Sequence, residues 1–236
     1  MKQSPLVLTI AGHDPGGRAG LTRDREVLES LGCRVEGVRT ARTAQDPHQP
    51  LAVWPEEAAV VGERIEQALQ RGSVAAVKIG MLATAEIASE VRRRLVAFEG
   101  PVVLDPVLTS SAGLCLLEEN AYAALTSLAA NCTLVTPNLP ELERLGGQVW
   151  LDGLGTTVLV KGGHANEDMV EDCLLGPNGT TATFRHPRMR GHSPRGTGCA
   201  LSSAVAGFLA QGLPLSDAVA SGIAWLQEHL FRSHED

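Results

Sequence analysis

Apolar residues along this chain fall in short runs that alternate with longer segments of helical spacing. Leu6-Val7-Leu8-Thr9-Ile10 reads as a strand and stops at Ala11-Gly12-His13-Asp14-Pro15-Gly16-Gly17, a dense turn signal. A helix follows from Gly20 to Leu31 with Leu21, Val27 and Leu28 apolar, and Cys33 to Val38 alternates weakly as a second strand. Pro55 reads as the first residue of a helix with Glu56 and Glu57 in its first turn and Val60, Ile65, Ala68 and Leu69 inward. Val74 to Ile79 is a strand ending at Gly80-Met81, and Thr84 caps a helix carrying Ile87, Val91, Leu95 and Val96. Val102-Val103-Leu104 is a buried-type strand ending at Asp105-Pro106, followed by a helix through Glu118 to Leu128. Leu134-Val135 leads to Thr136-Pro137-Asn138, and Val158-Leu159-Val160 leads to Lys161-Gly162-Gly163. Cys173 to Leu175 and Thr181 to Phe184 form a hairpin around Pro177-Asn178-Gly179. Two helices, Gly198 to Gln211 and Leu215 to Phe231, come last.

Short apolar strands alternating with helices predict an α/β fold: a mainly parallel, doubly wound sheet with helices on both faces. No linker divides residues 1–236, which read as a single domain. In such sheets ligands bind beyond the carboxyl ends of the strands. Five segments independently place polar or glycine residues there: Gly12 and Asp14, Gly80 and Met81, Asp105, Asn138 and Glu141, and Lys161.

Composition narrows the function. Hydrophobic residues are 44% and charged residues 20%, which suits a packed globule, and with only 3% aromatics the core must rest on Val, Leu, Ile and Ala. A net charge of −7 argues against nucleic acid as a partner, because phosphate neutralisation needs a basic surface. Five cysteines without a CxxC pair point to a reducing compartment rather than a disulfide framework. The seven histidines form no ligand cluster, and His13, His48 and His164 read as loop residues. No apolar run reaches membrane length and no h-region is visible, so the expected location is the cytoplasm.

Several motifs carry chemistry. The first βα turn lacks G-x-G-x-x-G, and the chain lacks G-x-x-x-x-G-K-[ST], which disfavours nicotinamide and P-loop enzymes. Gly16, Gly17 and Gly20 shape a turn or serve a site; Asp14 caps or pairs locally; Asp24 lies early in its helix, where a carboxylate is favourable. Asp105 either organises a turn or lies near Mg²⁺-bound phosphates. Glu141 either caps a helix or holds Mg²⁺ through water, since that ion keeps much of its hydration shell. Lys161 follows three apolar strand residues and is placed to reach a phosphate. Gly196-Thr197-Gly198-Cys199 opens the apolar run Ala200 to Ala210. The unpaired N–H groups of a helix start bind anions and lower the pKa of a thiol placed there. Cys199 is then either a small packed residue or a base for an attacking hydroxyl.

Leu8-Thr9-Ile10-Ala11-Gly12-His13-Asp14-Pro15, Lys78-Ile79-Gly80-Met81, Val102 to Val107, Thr136-Pro137-Asn138-Leu139-Pro140-Glu141, Lys161-Gly162-Gly163-His164 and Gly196-Thr197-Gly198-Cys199 occur in this order. Together they resemble the hydroxymethylpyrimidine/phosphomethylpyrimidine kinases of the ribokinase-like superfamily, over nearly the whole chain. The resemblance implies a ribokinase-like three-layer sandwich, commonly dimeric. It implies ATP- and Mg²⁺-dependent phosphorylation of 4-amino-5-hydroxymethyl-2-methylpyrimidine and then of its monophosphate, for thiamine synthesis. By motif, Gln45 hydrogen-bonds the aminopyrimidine, and Gly12, Asp24, Met81 and Val107 complete its pocket. Asp105 and Glu141 organise Mg²⁺, Asn138, Lys161 and Thr197 meet the nucleotide, Gly196, Thr197 and Gly198 form an anion hole, and Cys199 is the base.

The chain also departs from that pattern. Arg18 and Arg23 intrude near the pocket, where they either receive a substrate phosphate or skirt the site. Ser111-Ala112-Gly113 replaces a Lys-Ser-Gly segment, Pro194-Arg195 replaces Thr-His, the connection from Glu141 to Lys161 reads as lacking most of a helix, and a glycine-rich tail is missing after Phe231. Two other functions stay open: a pyridoxal kinase, and a non-catalytic pyrimidine-binding sensor built on the kinase fold.

Overall fold

The computed structural model describes residues 4–44, 52–110, 113–162, 168–188 and 196–229. Nine strands form one sheet in the order β3-β2-β1-β4-β5-β6-β7-β8-β9. In chain order they are β1 (Leu6–His13), β2 (Arg34–Ala44), β3 (Ala52–Pro55), β4 (Val74–Ile79), β5 (Val102–Leu104), β6 (Leu134–Val135), β7 (Val158–Val160), β8 (Met169–Gly176) and β9 (Gly179–Pro187). The central run from β2 to β7 is parallel, while β3 at one edge and the β8–β9 hairpin at the other pair antiparallel.

Successive strand residues point to opposite faces, and in this sheet both faces are apolar. Leu8, Ile10, Val77, Ile79, Val102, Leu104, Val135, Val158 and Val160 belong to one core. It packs against helices α2 (Ala58–Arg71), α3 (Ala85–Leu95), α4 (Tyr122–Ala129) and α6 (Gly147–Leu154). Their strand neighbours Val7, Ala76, Val103, Leu134 and Leu159 enter a second core with α1 (Gly20–Ser30), α7 (Thr197–Ala210) and α8 (Leu215–His229). The short α5 (Leu139–Leu145) follows β6. This is the predicted α/β layering, and no helix among the described residues is long and apolar enough to cross a membrane.

Local expectations fare unevenly. Thr84 caps α3, its hydroxyl accepting from Ile87 N at 3.3 Å. Pro55 does not open a helix: it ends β3, an edge strand where its missing N–H costs no ladder bond. Glu57 precedes α2 instead, Glu56 pairs with Arg39 at 2.6 Å, and Val61 rather than Val60 faces the core. His13 is the last residue of β1, not a loop residue, and β2 extends to Ala44. The connection from Glu141 to Lys161 is helical after all: α5 and α6 occupy it, broken at Gly146 and Gly147, which both take positive φ.

The β1–α1 turn is drawn tightly over the sheet. Asp14 accepts from Gly16 N at 3.1 Å and Arg18 N at 3.2 Å, the local pairing expected of it. Gly20 sits at φ +60, and a Cβ there would lie 2.1 Å from the Gly12 carbonyl oxygen. Gly32, at φ +75, has nothing within 4 Å of that position. Gly20→Ala is therefore expected to cost at least ~2 kcal/mol, strain plus clash, whereas Gly32→Ala costs only the left-handed penalty of ~1 kcal/mol. Urea denaturation of the two variants measures the difference; equal losses would contradict the close approach.

Candidate active site

Parallel strands end on one side, so the first residues beyond them share an edge. There, an apolar pocket of ≈ 360 Å³, counting its open mouth, is lined by residues including Gly12, Thr43, Met81, Val107, Leu116 and Cys199. Gly12 leaves room for its neighbour: a Cβ there would stand 2.7 Å from Met81 Sδ. The Thr40 hydroxyl donates to the Met81 carbonyl at 2.6 Å and fixes that wall. Three of the residues expected around a pyrimidine, Gly12, Met81 and Val107, thus meet Cys199 in one cavity.

Asp24 does not join them. It lies on the sheet-facing side of α1, fully buried, with Lys78 Nζ at 2.7 Å and Ser203 Oγ at 2.9 Å from its Oδ1. The expectation that it lines the pocket is corrected: the carboxylate points beneath the floor, toward β4 and α7. Gln45 falls outside the described residues, as do Ser111, Ala112, Gly163, His164, Pro194 and Arg195. Arg23 bonds Glu26 on its own helix at 3.0 Å, and neither it nor the exposed Arg18 lines the pocket.

A charged cluster stands beside the pocket. Lys161 Nζ donates to Asp105 Oδ1 at 2.9 Å, and Thr136 Oγ1 approaches the same oxygen at 3.3 Å. Gly198 abuts both charges, since a Cβ there would stand 3.2 Å from Lys161 Nζ and 3.5 Å from Asp105 Oδ2. Helix α7 begins here. Its cap, Gly196, is left-handed at φ 81 and supplies no side-chain acceptor to the first turn. A Cβ on Gly196 would meet the Arg18 carbonyl at 2.2 Å, so the β1–α1 turn packs directly on this helix start. Asn138 and Glu141 form a reciprocal capping box on α5: Glu141 N donates to Asn138 Oδ1 at 2.8 Å, and Asn138 N donates to Glu141 Oε2 at 2.9 Å. An isolated bridge joins Asn138 to Lys161 and holds the two ends together.

Burial sets the charge states. It disfavours the Lys161 ammonium, but Asp105 and Glu141 more than offset this and hold the lysine above its usual range. Burial pushes Glu141 up to about 7; Lys161 opposes the shift and Asp105 adds to it. Burial likewise pushes the Cys199 thiol up to about 11, against the pull of Lys78 and with Asp105 and Asp24 adding to the rise. The acidified thiol expected from the helix start is therefore corrected: in the ligand-free site Cys199 rests protonated.

No group of three or more His, Cys, Asp or Glu able to hold a metal occurs among the described residues. Asp105 and Glu141 are nevertheless hard oxygen donors, Asp105 against the uncapped start of α7, and Mg²⁺ is commonly bound by one or two carboxylates plus phosphates and water. The donor set fits that ion better than it fits zinc. Sequence reasoning also missed Lys78 and Ser203. The available signal was a lysine inside the apolar strand Val74–Ile79, a position that buries any side chain.

Comparison with known proteins agrees with this geometry. The profile of the phosphomethylpyrimidine kinase family matches residues 14–235. The chain is 35% identical over 241 residues to the thiamine biosynthesis multifunctional protein ThiED of Corynebacterium efficiens, covering 96% of this chain and 33% of that one. It thus spans about a third of the Corynebacterium multifunctional proteins it matches. It is 36% identical over 229 residues to the hydroxymethylpyrimidine/phosphomethylpyrimidine kinase of Streptomyces coelicolor, covering 91% of this chain and 84% of that one. The Staphylococcus aureus pyridoxal kinase in complex with AMP-PCP and pyridoxal superposes with a TM-score of 0.82 at 25% identity, covering 97% and 88% of the two chains.

The thiol state is directly checkable. A rise of two units above an ordinary thiol near 9 leaves about 100-fold less thiolate at neutral pH. Iodoacetamide at pH 8 is expected to modify Cys199 about 100-fold more slowly in the folded, ligand-free chain than in urea, read by mass spectrometry of its peptide. Equal rates would show that burial does not govern the sulfur.

Proposed function

The chain belongs to the phosphomethylpyrimidine kinase family, and on that premise we propose that it phosphorylates 4-amino-5-hydroxymethyl-2-methylpyrimidine, its monophosphate, or both, with ATP as donor, in thiamine biosynthesis. One observation carries the reading. The uncapped start of α7 lies against Lys161 and Asp105 on one side and opens with Cys199 into an apolar pocket on the other. An anion site and a small-ring site therefore share a wall.

The residues divide the work. Gly12, Met81 and Val107 hold the ring, and Gln45 supplies the carboxamide that matches an aminopyrimidine's donors and acceptors. Lys161 faces the transferred phosphate, while the N–H groups of Gly196, Thr197 and Gly198 receive the charge that develops on it. Asn138 and Thr197 border the nucleotide. Asp105 and Glu141 would hold Mg²⁺, which supplies charge neutralisation on the phosphates. Cys199 acts as the thiolate: its thiol first loses its proton to solvent, and the sulfur then accepts the proton of the substrate hydroxyl as that oxygen bonds to the γ-phosphorus and the bond to the bridging oxygen breaks, releasing ADP. Catalysis is mostly positioning and charge stabilisation. The reading includes a homodimer in the cytoplasm with a small-molecule substrate and no nucleic-acid partner.

Superposition on a pyridoxal kinase that binds pyridoxal and AMP-PCP supports pyridoxal as the competing substrate. Side-by-side turnover of the hydroxymethylpyrimidine, its monophosphate and pyridoxal decides between them, and pyrimidine binding without ADP formation would instead establish a sensor. In the active enzyme, Cys199→Ala is expected to lower kcat by about 100-fold or more. Its pyrimidine affinity should stay within about threefold, because the apolar wall keeps its shape. Parallel steady-state kinetics and calorimetry make the comparison, and a matched loss of affinity would reduce Cys199 to a packing residue.

A further inference from the structure

Three buried polar groups under the pocket floor take no part in the proposed transfer. Lys78 Nζ and Asp24 Oδ1 are 2.7 Å apart with both side chains fully inaccessible to solvent. Ser203 donates to the same carboxylate oxygen at 2.9 Å, and Asp24 Oδ2 is buried with no hydrogen-bond partner. A buried ion pair is a weak source of stability, since apolar side chains of similar volume serve as well or better. Its placement is more telling. Ser203 lies one turn beyond Cys199 on the same face of α7. Lys78 Nζ lies directly under Gly80, where a Cβ would stand 3.0 Å from it and 3.2 Å from the Cβ of Ala11, a residue that lines the pocket with Cys199. Strand β4 and helices α1 and α7 therefore close around one ammonium group behind the thiol.

The charges facing Cys199 can be named from each side. Lys78 on β4 is the strongest influence favouring a negative sulfur, and Lys161 after β7 also interacts with it; Asp105 beyond β5 and Asp24 on α1 oppose it, and the Gly20 N–H supports it. His13 and Asp14 at the end of β1 border the same pocket.

We propose that Lys78 is a positioning residue of the reacting centre: its buried ammonium holds a fixed positive charge behind Cys199, and Asp24 sets how much of that charge the sulfur feels. A compact ammonium acts as a point charge, and with both side chains of the pair fully buried the field is weakly screened. Neither side chain of the pair is part of the pocket lining, and the pair acts through the thiol. The inference rests on the proposed role of Cys199, but its test does not need turnover.

The test is the pH profile of Cys199 alkylation by iodoacetamide, resolved by peptide mass spectrometry on the full ligand-free chain. Three proteins are compared: wild type, Asp24→Asn, and the double variant Lys78→Met with Asp24→Asn. The double variant leaves no orphaned charge and nearly conserves volume. Its thiol midpoint is expected above wild type, because the stronger of the two influences has gone. Asp24→Asn alone deprives the buried lysine of its anion, burial then discharges it, and the midpoint likewise rises above wild type. Both variants should lie above wild type by about one unit, or tenfold slower labelling at pH 8. Kinetics of the double variant should show kcat reduced about tenfold with the pyrimidine KM unchanged. Midpoints that coincide with wild type, or fall below it, overturn the proposal, since a merely structural pair would shift the melting temperature and leave the thiol in place. If the double variant does not fold, Asp24→Asn alone decides, and a midpoint unmoved or lowered overturns it. Failure here leaves the kinase reading intact, whereas a wild-type chain without kinase turnover removes that reading and leaves the titrations readable.

Discussion

Burial of both faces of the sheet is the constraint from which the site follows. Alternate residues of β1, β4, β5, β6 and β7 enter two separate apolar cores, so these strands can carry almost nothing polar along their length. Thr9, whose hydroxyl donates to the Glu36 carbonyl, and Lys78 are the exceptions, and Lys78 requires an anion. Polar side chains are therefore free to appear only where a strand ends. Because the central strands are parallel, their carboxyl ends share one edge, and residues far apart in sequence converge there. Asp105, Glu141 and Lys161 need no common motif to meet, since each comes after its own apolar strand, and Cys199 joins them from the start of α7.

The same burial governs the electrostatics. A helix start contributes at most ~2 kcal/mol to an anion, little more than one pKa unit. Burial shifts a thiol in the other direction, by up to ~3–5 units where it is complete, and Cys199 is half-buried in the pocket wall. For Cys199 the second effect wins, and the sulfur rests protonated. Burial also disfavours the Lys161 ammonium, yet Asp105 within hydrogen-bond distance, with Glu141, more than offsets it. A direct counter-charge is what the lysine has and the thiol lacks.

Much of this was legible in the chain. Val74 to Ile79, Val102 to Leu104, Leu134-Val135 and Val158 to Val160 appear as strands with the bounds their apolar runs predict, because a polar residue, glycine or proline bounds each run. The site residues at strand ends were legible for the same reason. Pro55 was not, because proline at a helix start and proline on a sheet edge satisfy the same backbone rule, and only the pairing with Ala41 separates them. The helices between Glu141 and Lys161 were hidden because two glycines break their periodicity into pieces too short to register. Asp24 was misplaced because position along a helix is visible in sequence, but the direction its face takes is set by packing against α7.

The antiparallel hairpin at the far edge shows how elements outside the parallel core still serve the site. Gly162, immediately after Lys161, donates its N–H to Asp172 Oδ1 on β8 at 2.8 Å, and a Cβ there would lie 2.0 Å from the Glu171 carbonyl oxygen. The other oxygen of Asp172 meets His186 Nε2 on β9 at 3.2 Å, and His186 Nδ1 meets Gln227 Nε2 on α8 at 2.9 Å. One neutral tautomer suits both contacts: Nε2–H donates to the carboxylate, and Nδ1 accepts from the amide. Strand β7 is only three residues long and would hold Lys161 loosely by itself. Tying the next residue to β8, β9 and α8 fixes the direction in which the lysine leaves the sheet. The same tie directs its ammonium toward Asp105 and the start of α7.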